Sequence, residues 1–557
     1  MRIRTRQIVK LATTALVVVA IFVGGIFASR RDFGMGRNME IMVNLMGAIA
    51  THYVDEVAPD EMMRNGAQGI TSALDPYTTY LPEEEMNEFT TYTTGKYGGV
   101  GAVIRQDSDY VRIAEPYRGS PADLAGLQIG DRIVAIDGAS TKGFTTSQVS
   151  NLLRGEPNTT VEVTVEKLLG GEHQTVKIRR QRIAIPSITY AGYVAEGVGY
   201  IRHSDFTDGC YDEMRAAIAR LQSEGELKQL ILDYRNNGGG VMQSAIKILS
   251  LFVPKGTLVV ETKGRKAEDN TKYHTQNNPI LPDIPLVVLI NSNSASAAEI
   301  VAGALQDLDR ALLLGERSFG KGLVQTTLPL GFNSYAKVTT AKYYIPSGRC
   351  IQAVRYNSEG RAEVMPDSLI NEFRTAAGRK VYDGGGIMPD IKFSGEPSSE
   401  FTLTLYVLGL FDDFGDLYFQ KHPTATIDPL TFSITDQEYE EFAKMVASRD
   451  IPYKSSSRTA FERLKKALEK ERYDKGLEEA MAAIESGLHD DKMSNLQTYR
   501  KEVISYINSN IILRYAYSTG VTARSVSEDK SVKQAIEALG DKERMTKILR
   551  EQDTERK

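Results

Sequence analysis

Residues 286–300 read LVVLINSNSASAAEI, and the organisation of the chain can be read outward from them. Leu286–Ile290 is a short, uninterrupted apolar run, the pattern of a strand buried on both faces. Small polar residues follow, and Ala295–Leu308 then has the composition of an apolar helix. Upstream, Gln229–Leu232 reads as a second buried strand and Ser244–Phe252 as another helix. Strands and helices alternating between about Ile185 and Ile391 predict an α/β core.

The flanks differ from this core. From Asn38 to about Phe89, Met39, Met42, Leu45, Met46 and Ile49 recur at helical steps, and Asp75-Pro76 marks a turn. Residues 97–182 alternate β-like runs with glycine turns. After Ser394 the chain becomes charged and helix-forming, most clearly over Ala460–Leu488. At the amino end Arg2, Arg4, Arg6 and Lys10 precede an uncharged run from Leu11 to Ala28, followed by Arg30 and Arg31. That run would span roughly 27 Å as a helix, close to a bilayer core, with its amino end in the cytoplasm. The rival reading is a cleaved signal peptide, which a cut after Ala28 would make awkward by placing Ile26 where a small residue is favoured. Either reading exports the remainder.

The predicted architecture is therefore multidomain α/β. Residues 1–31 form a membrane anchor or signal segment, 38–90 a helical segment, 97–182 a β-rich domain, 185–395 an α/β core and 396–557 a mainly helical extension. With 67 basic and 72 acidic residues the charge is nearly balanced, and no basic stripe points to nucleic acid. Cys210 and Cys350 are too few for a disulfide framework, though they could form one bridge.

Within the β-rich domain, Ala125–Gly138 reads AGLQIGDRIVAIDG. Gly126 and Gly130 suit turns, Ile133, Val134 and Ile136 a strand, and Asp137-Gly138 a tight hairpin. Upstream, Gly98-Gly99-Val100-Gly101 leads into Ala102-Val103-Ile104. A glycine loop ahead of an edge strand can hold a peptide's terminal carboxylate on its N–H groups, while the strand pairs with the peptide. Gly98, Gly99, Val100, Gly101, Ala102 and Val103 are the candidate substrate-binding residues. The segment resembles PDZ domains.

The three serines Ser292, Ser294 and Ser296 fit a helix cap as well as a nucleophile. Gly315-Glu316-Arg317-Ser318-Phe319-Gly320-Lys321-Gly322 nearly matches a phosphate loop, but Gly322 replaces the hydroxyl residue that would hold Mg²⁺. Lys321, between glycines and ahead of an apolar strand, is expected to be buried, which would lower its pKa toward that of a general base. Gln325, four residues on, could orient the amine. His52, His173, His203, His274, His422 and His489 lie in no catalytic pattern, and neither G-x-S-x-G nor H-E-x-x-H occurs.

Six motifs in order give the chain a family resemblance. They are Leu74–Leu81 (LDPYTTYL), Asp233–Gly240 (DYRNNGGG), Ser294–Ile300 (SASAAEI), Phe319–Gln325 (FGKGLVQ), Ile345–Arg349 (IPSGR) and Gly386–Ile391 (GIMPDI). Over residues 38–395 the chain resembles the carboxyl-terminal processing proteases, relatives of the tail-specific protease of bacterial periplasms. The resemblance implies a serine endopeptidase that engages the carboxyl ends of exported proteins through its PDZ-like domain. It implies Ser296 as nucleophile, Lys321 as base and Gln325 as orienter, with oxyanion donors at Ala297 and at Gly239 or Gly240. No metal or organic cofactor is implied. Partners are protein or peptide substrates with free C-termini and the inner membrane, whose periplasmic side is the expected location; a homo-oligomer or an adaptor stays open. Ala298 and Cys350 stand where the family usually has serine, and Gly238 where proline is frequent.

Overall fold

The computed structural model describes residues 30–550 except 358, 359, 396, 474, 475, 489 and 490. The apolar run expected to anchor or export the chain lies outside the described residues. Among those described, no helix is long and apolar enough to cross a membrane.

The chain divides into two units, the first made of residues up to Glu83 with Gln325–Thr339 and Tyr356–Ala362. In it, helices Arg30–His52 and Pro59–Thr71 are followed by a strand, Thr79–Leu81, which pairs antiparallel with residues 335–337. The predicted helical segment 38–90 is thus interrupted by strand. Asp75 is the reason for the turn: its carboxylate accepts the N–H groups of Tyr77 (2.8 Å) and Thr78 (3.0 Å) and the hydroxyls of Thr78 (3.0 Å) and Thr339 (3.2 Å).

The second unit holds the rest. Its β-rich module consists of β1 (Lys96–Gly99), β2 (Ala102–Asp107), β3 (Tyr110–Pro116), β4 (Arg132–Ile136), helix α1 (Thr146–Leu153), β5 (Thr160–Glu166), β6 (His173–Arg179) and β7 (Gln181–Ala184). The sheet order β2-β3-β4-β5-β6 leaves β2 on an edge. Asp137 and Gly138 both have positive φ, 48° and 78°, as a two-residue hairpin turn requires. The glycine run corrects one expectation. Gly98 and Gly99 are not open loop: they sit in β1, paired with Arg182 and Gln181 of β7. Only Val100 and Gly101 form the turn into β2.

The α/β core comprises β8 (Ile188–Ala195), β9 (Val198–His203), α2 (Cys210–Glu224), β10 (Gln229–Asp233), α3 (Met242–Leu249), β11 (Leu286–Ile290), α4 (Ala297–Asp307), β12 (Leu312–Gly315) and β13 (Ile391–Lys392). They form one sheet in chain order, β8-β9-β10-β11-β12-β13, parallel from β9 onward. Side chains alternate between two separate cores. Leu230, Leu232, Leu286, Val288 and Ile290 pack with the helices α2, α3 and α4, whereas Ile231, Val287, Leu289, Leu312 and Leu314 pack with Val526, Val532, Ala535 and Leu539. Burial on both faces is why these strands read as continuous apolar runs.

The partners on the second face come from the carboxyl-terminal region, whose helices include α5 (Leu410–Lys421), α6 (Arg500–Glu528) and α7 (Lys530–Gly540). The expected boundary at 395 therefore does not separate two independent cores. Part of the extension, near Phe401–Ile511, has its own core, but helices near Val526–Leu539 cover the second face of the α/β sheet. The extension also grips the β-rich module. Arg112 of β3 donates to Asp416 at 2.7 Å, and Arg514 of α6 donates to the same carboxylate at 2.5 Å, with all three side chains largely buried. Breaking such a buried pair commonly costs about 3–5 kcal/mol, and because Asp412 still faces Arg112 at 3.6 Å and Arg514 at 3.4 Å the low end, about 3 kcal/mol, applies here. Asp416→Ala should therefore lower stability by roughly that amount and expose the module to limited proteolysis, read by urea titration and by mass mapping of the fragments; unchanged stability would show the cluster to be dispensable.

Candidate active site

Three loops leave the carboxyl ends of adjacent parallel strands: Asp233–Gly240 after β10, Asn291–Ser296 after β11, and Gly315–Lys321 after β12. The carboxyl edge of a parallel sheet is where such folds gather chemistry, because its loops converge beside helix amino termini.

The middle loop is anchored from below by Ser294. Its fully buried hydroxyl donates to the Tyr234 carbonyl at 2.8 Å and accepts the Asn291 N–H at 2.9 Å. Asn236, itself at φ 60°, accepts from the side-chain amides of Asn291 (2.9 Å) and Asn293 (3.0 Å), joining the first two loops. Ser296 then sits at φ 56°, ψ −114°, a strained backbone for a residue with a Cβ, at the residue before α4. Strain of this kind persists only where the surroundings over-determine it, and here both loop ends are tied.

The glycine loop crowds Ser296. A Cβ on Gly239 would lie 2.8 Å from Ser296 Cβ and 2.9 Å from the Ala297 nitrogen, and φ is 98°. Only glycine fits. The Gly239 N–H donates to Asn237 Oδ1 at 2.8 Å. Gly240, at φ 138°, lies against the Phe206 carbonyl, 2.3 Å from where its Cβ would be.

Glu299 joins the middle loop to the third. It is fully buried in the first turn of α4. One carboxylate oxygen accepts the Ser296 N–H (2.8 Å) and the Lys321 N–H (2.9 Å); the other accepts the Ser318 hydroxyl (2.5 Å) and the Gly320 N–H (2.7 Å). Burial pushes its pKa up to about 7, against the pull of these four donors. Tyr343 closes the site from another side, its hydroxyl donating to the Ser296 carbonyl at 3.2 Å. Glu299, Asn237 and Tyr343 were not among the residues picked from sequence. The signal for Glu299 was available: a serine followed three residues later by glutamate at the head of an apolar helix is a capping-box spacing.

Lys321 is half-buried rather than enclosed, while its neighbours Gly320, Gly322 and Leu323 are buried. The carboxylate of Glu299 thus brings the backbones of Ser296 and Lys321 to one point. Gln325 belongs to the other unit, where its amide donates to Thr339 Oγ1 at 3.2 Å. His203 is buried, its ring packed on Phe206 and Tyr234, and desolvation lowers its pKa to about 3. It stays neutral and sits in the core. Cys210 and Cys350 are unbridged.

Comparison with known proteins bears on this geometry. Residues 197–370, which contain Ser296, Lys321 and Gln325, match the family model of peptidase family S41. Residues 112–167 match that of the PDZ domain, and residues 401–539 that of the probable PDZ-protease C-terminal helical domain. The chain is similar to a carboxy-terminal-processing protease of Bartonella bacilliformis, 36% identical over 309 residues that cover 55% of this chain and 70% of the relative. It is also similar to a probable CtpA-like serine protease of Staphylococcus aureus, 32% identical over 349 residues, 61% of this chain and 69% of that one. Among solved structures, the photosystem II D1 C-terminal processing protease matches at 28% identity and a TM-score of 0.33, over 62% of this chain and 84% of that one.

Glu299→Ala should leave four donors without their acceptor. At about 1–3 kcal/mol for each buried unsatisfied group, partly relieved by water, a loss of roughly 3 kcal/mol is expected. Glu299→Gln replaces two acceptor positions by an amide NH₂ that faces donors. It should also lose at least about a hundredfold in cleavage rate, because a misplacement near 1 Å is worth that much. Wild-type turnover in Glu299→Gln would contradict the clamp.

Proposed function

The chain belongs to the carboxy-terminal-processing proteases of peptidase family S41, serine-type peptidases carrying a PDZ domain, and we propose that Ser296 is its nucleophile and Lys321 its general base. The observation that carries this reading is the Glu299 carboxylate, which accepts the backbone N–H groups of both residues at 2.8 and 2.9 Å. Two loops that leave neighbouring strands are registered on one buried group.

In the proposed reaction the neutral Lys321 amine takes the proton as Ser296 Oγ attacks the scissile carbonyl, and returns it to the departing amine. Water then attacks the acyl-enzyme with the same amine as base. The developing oxyanion is met by the N–H of Ala297, at the positive end of α4, and by a glycine N–H of the 238–240 run. Gly239 is the nearer glycine to Ser296, and its N–H has to leave Asn237 Oδ1 to serve. Each such donor commonly contributes about 3 kcal/mol to transition-state stabilisation.

Substrates are proposed to be exported proteins with free carboxyl ends, bound by the turn at Val100 and Gly101 and by β-pairing along Ala102 and Val103. Support comes from the edge position of β2 and the positive φ of Gly101, 82°. The proposed site of action is the periplasmic face of the inner membrane, or the free periplasm if the amino-terminal segment is cleaved.

Ser296→Ala and Lys321→Ala should each abolish peptide cleavage in a folded protein, and Lys321→Arg should fail too because guanidinium stays protonated. Ser294→Ala should keep measurable activity at reduced stability, since its hydroxyl only supports the loop. Full cleavage by Ser296→Ala would end the assignment. Activity should rise with pH, because it needs Lys321 neutral and Glu299 ionised, and the latter condition fails as pH falls through about 7. Amidating a substrate's carboxyl end should weaken engagement about tenfold or more, the worth of a charge-assisted bond of about 1.5–3 kcal/mol; equal cleavage of free and amidated tails well below KM would refute carboxylate selection.

A further inference from the structure

Helix α6 is not continuous. Tyr517 interrupts it at φ 62°, ψ −176°, with neither proline nor glycine at the break. A break of this type leaves the first N–H groups of the following segment without acceptors inside the helix. The β-rich module supplies one: Glu115 of β3 accepts both the N–H (3.1 Å) and the hydroxyl (2.9 Å) of Ser518. Arg118 of the same module lies over the Tyr517 ring, 4.6 Å from its centroid. A carboxylate from the peptide-binding module thus caps the second half of α6, where the helix dipole favours negative charge.

The other end of that half-helix reaches the catalytic loops. Asp529 follows Glu528 directly and performs two tasks with different atoms. Its Oδ1 accepts the N–H groups of Ser531 (2.7 Å) and Val532 (3.3 Å), capping α7. Its Oδ2 pairs with the Arg235 guanidinium at 2.8 Å. Arg235 also binds Asp233 through its backbone N–H (2.9 Å) and its guanidinium (2.6 Å). It immediately precedes Asn236, which holds Asn291 and Asn293 of the nucleophile loop. No part of the proposed proton relay uses Arg235 or Asp529.

We propose that the carboxyl-terminal helical region is a positioning element for the reaction: Asp529 holds Arg235 and with it the Asp233–Gly240 loop, and Glu115 of the PDZ module sets the half-helix that ends at Asp529. Asp529 is a positioning residue, acting on the oxyanion loop through Arg235. Residues 518–528 span roughly 16 Å of helix, so the two contacts are too far apart to interact directly, and any coupling between them runs through the helix.

The inference rests on the Ser296 reading, which is checked first: the wild type must cleave a short chromogenic peptide and Ser296→Ala must not. Asp529→Asn is then the informative variant. Its Oδ1 still caps α7, while an NH₂ group faces Arg235 in place of Oδ2. The expected result is a kcat about tenfold lower with KM unchanged and the thermal midpoint moved by no more than about 2 °C. Glu115→Ala should lower kcat in the same sense, and the double variant should be no slower than the slower single one. Independent sites this far apart would show multiplied losses. Wild-type kcat in Asp529→Asn or in Glu115→Ala, losses that multiply in the double variant, or a fall in kcat accompanied by a raised KM and a large drop in midpoint would each overturn the proposal.

Discussion

One carboxylate holds the loops of the candidate active site together. Glu299 is buried and is satisfied by four donors drawn from two loops. Burying a carboxylate is costly, which is why its pKa is pushed up to about 7. The protein tolerates that cost where a single acceptor fixes the backbones of Ser296 and Lys321 and the turn at Ser318–Gly320. A hydrophobic residue there would suit the helix better and would leave both loops unregistered.

The sheet beneath explains why those loops meet at all. The parallel strands β10, β11 and β12 lie side by side in chain order, so their carboxyl ends are neighbours and each loop needs only a few residues to reach the next. A parallel sheet must be covered on both faces. The helices within the core cover one, and the last helices of the chain cover the other. The carboxyl-terminal region is therefore a layer of the catalytic unit as well as the partner of the PDZ module.

Legibility from sequence followed local physics. Leu286–Ile290 could be bounded to the residue, because a strand apolar on both faces has sharp edges. Asp137-Gly138 announced its hairpin, because few residues accept two consecutive positive φ values. What depended on tertiary assembly was not readable. The second-face packing of Val532 and Leu539 belongs to an amphipathic helix whose partner is more than two hundred residues away in the chain. The pairing of Gly98 and Gly99 with β7 turned an expected loop into a strand, since glycine carries no side-chain pattern to mark a ladder. Ser294 and Ser296 could not be separated by residue type. Their difference is one of backbone: one hydroxyl is sealed beneath the loop, and the other residue is strained at the head of α4.

That difference can be tested by chemistry at the atom itself. A peptidyl phosphonate, which forms a stable bond to an activated serine hydroxyl, should label the protein once. Peptide mapping by mass spectrometry should place the adduct on Ser296, and Lys321→Ala should abolish the labelling while leaving the protein folded. An adduct on Ser294 or on any other residue, or undiminished labelling in Lys321→Ala, would contradict the Ser296–Lys321 account.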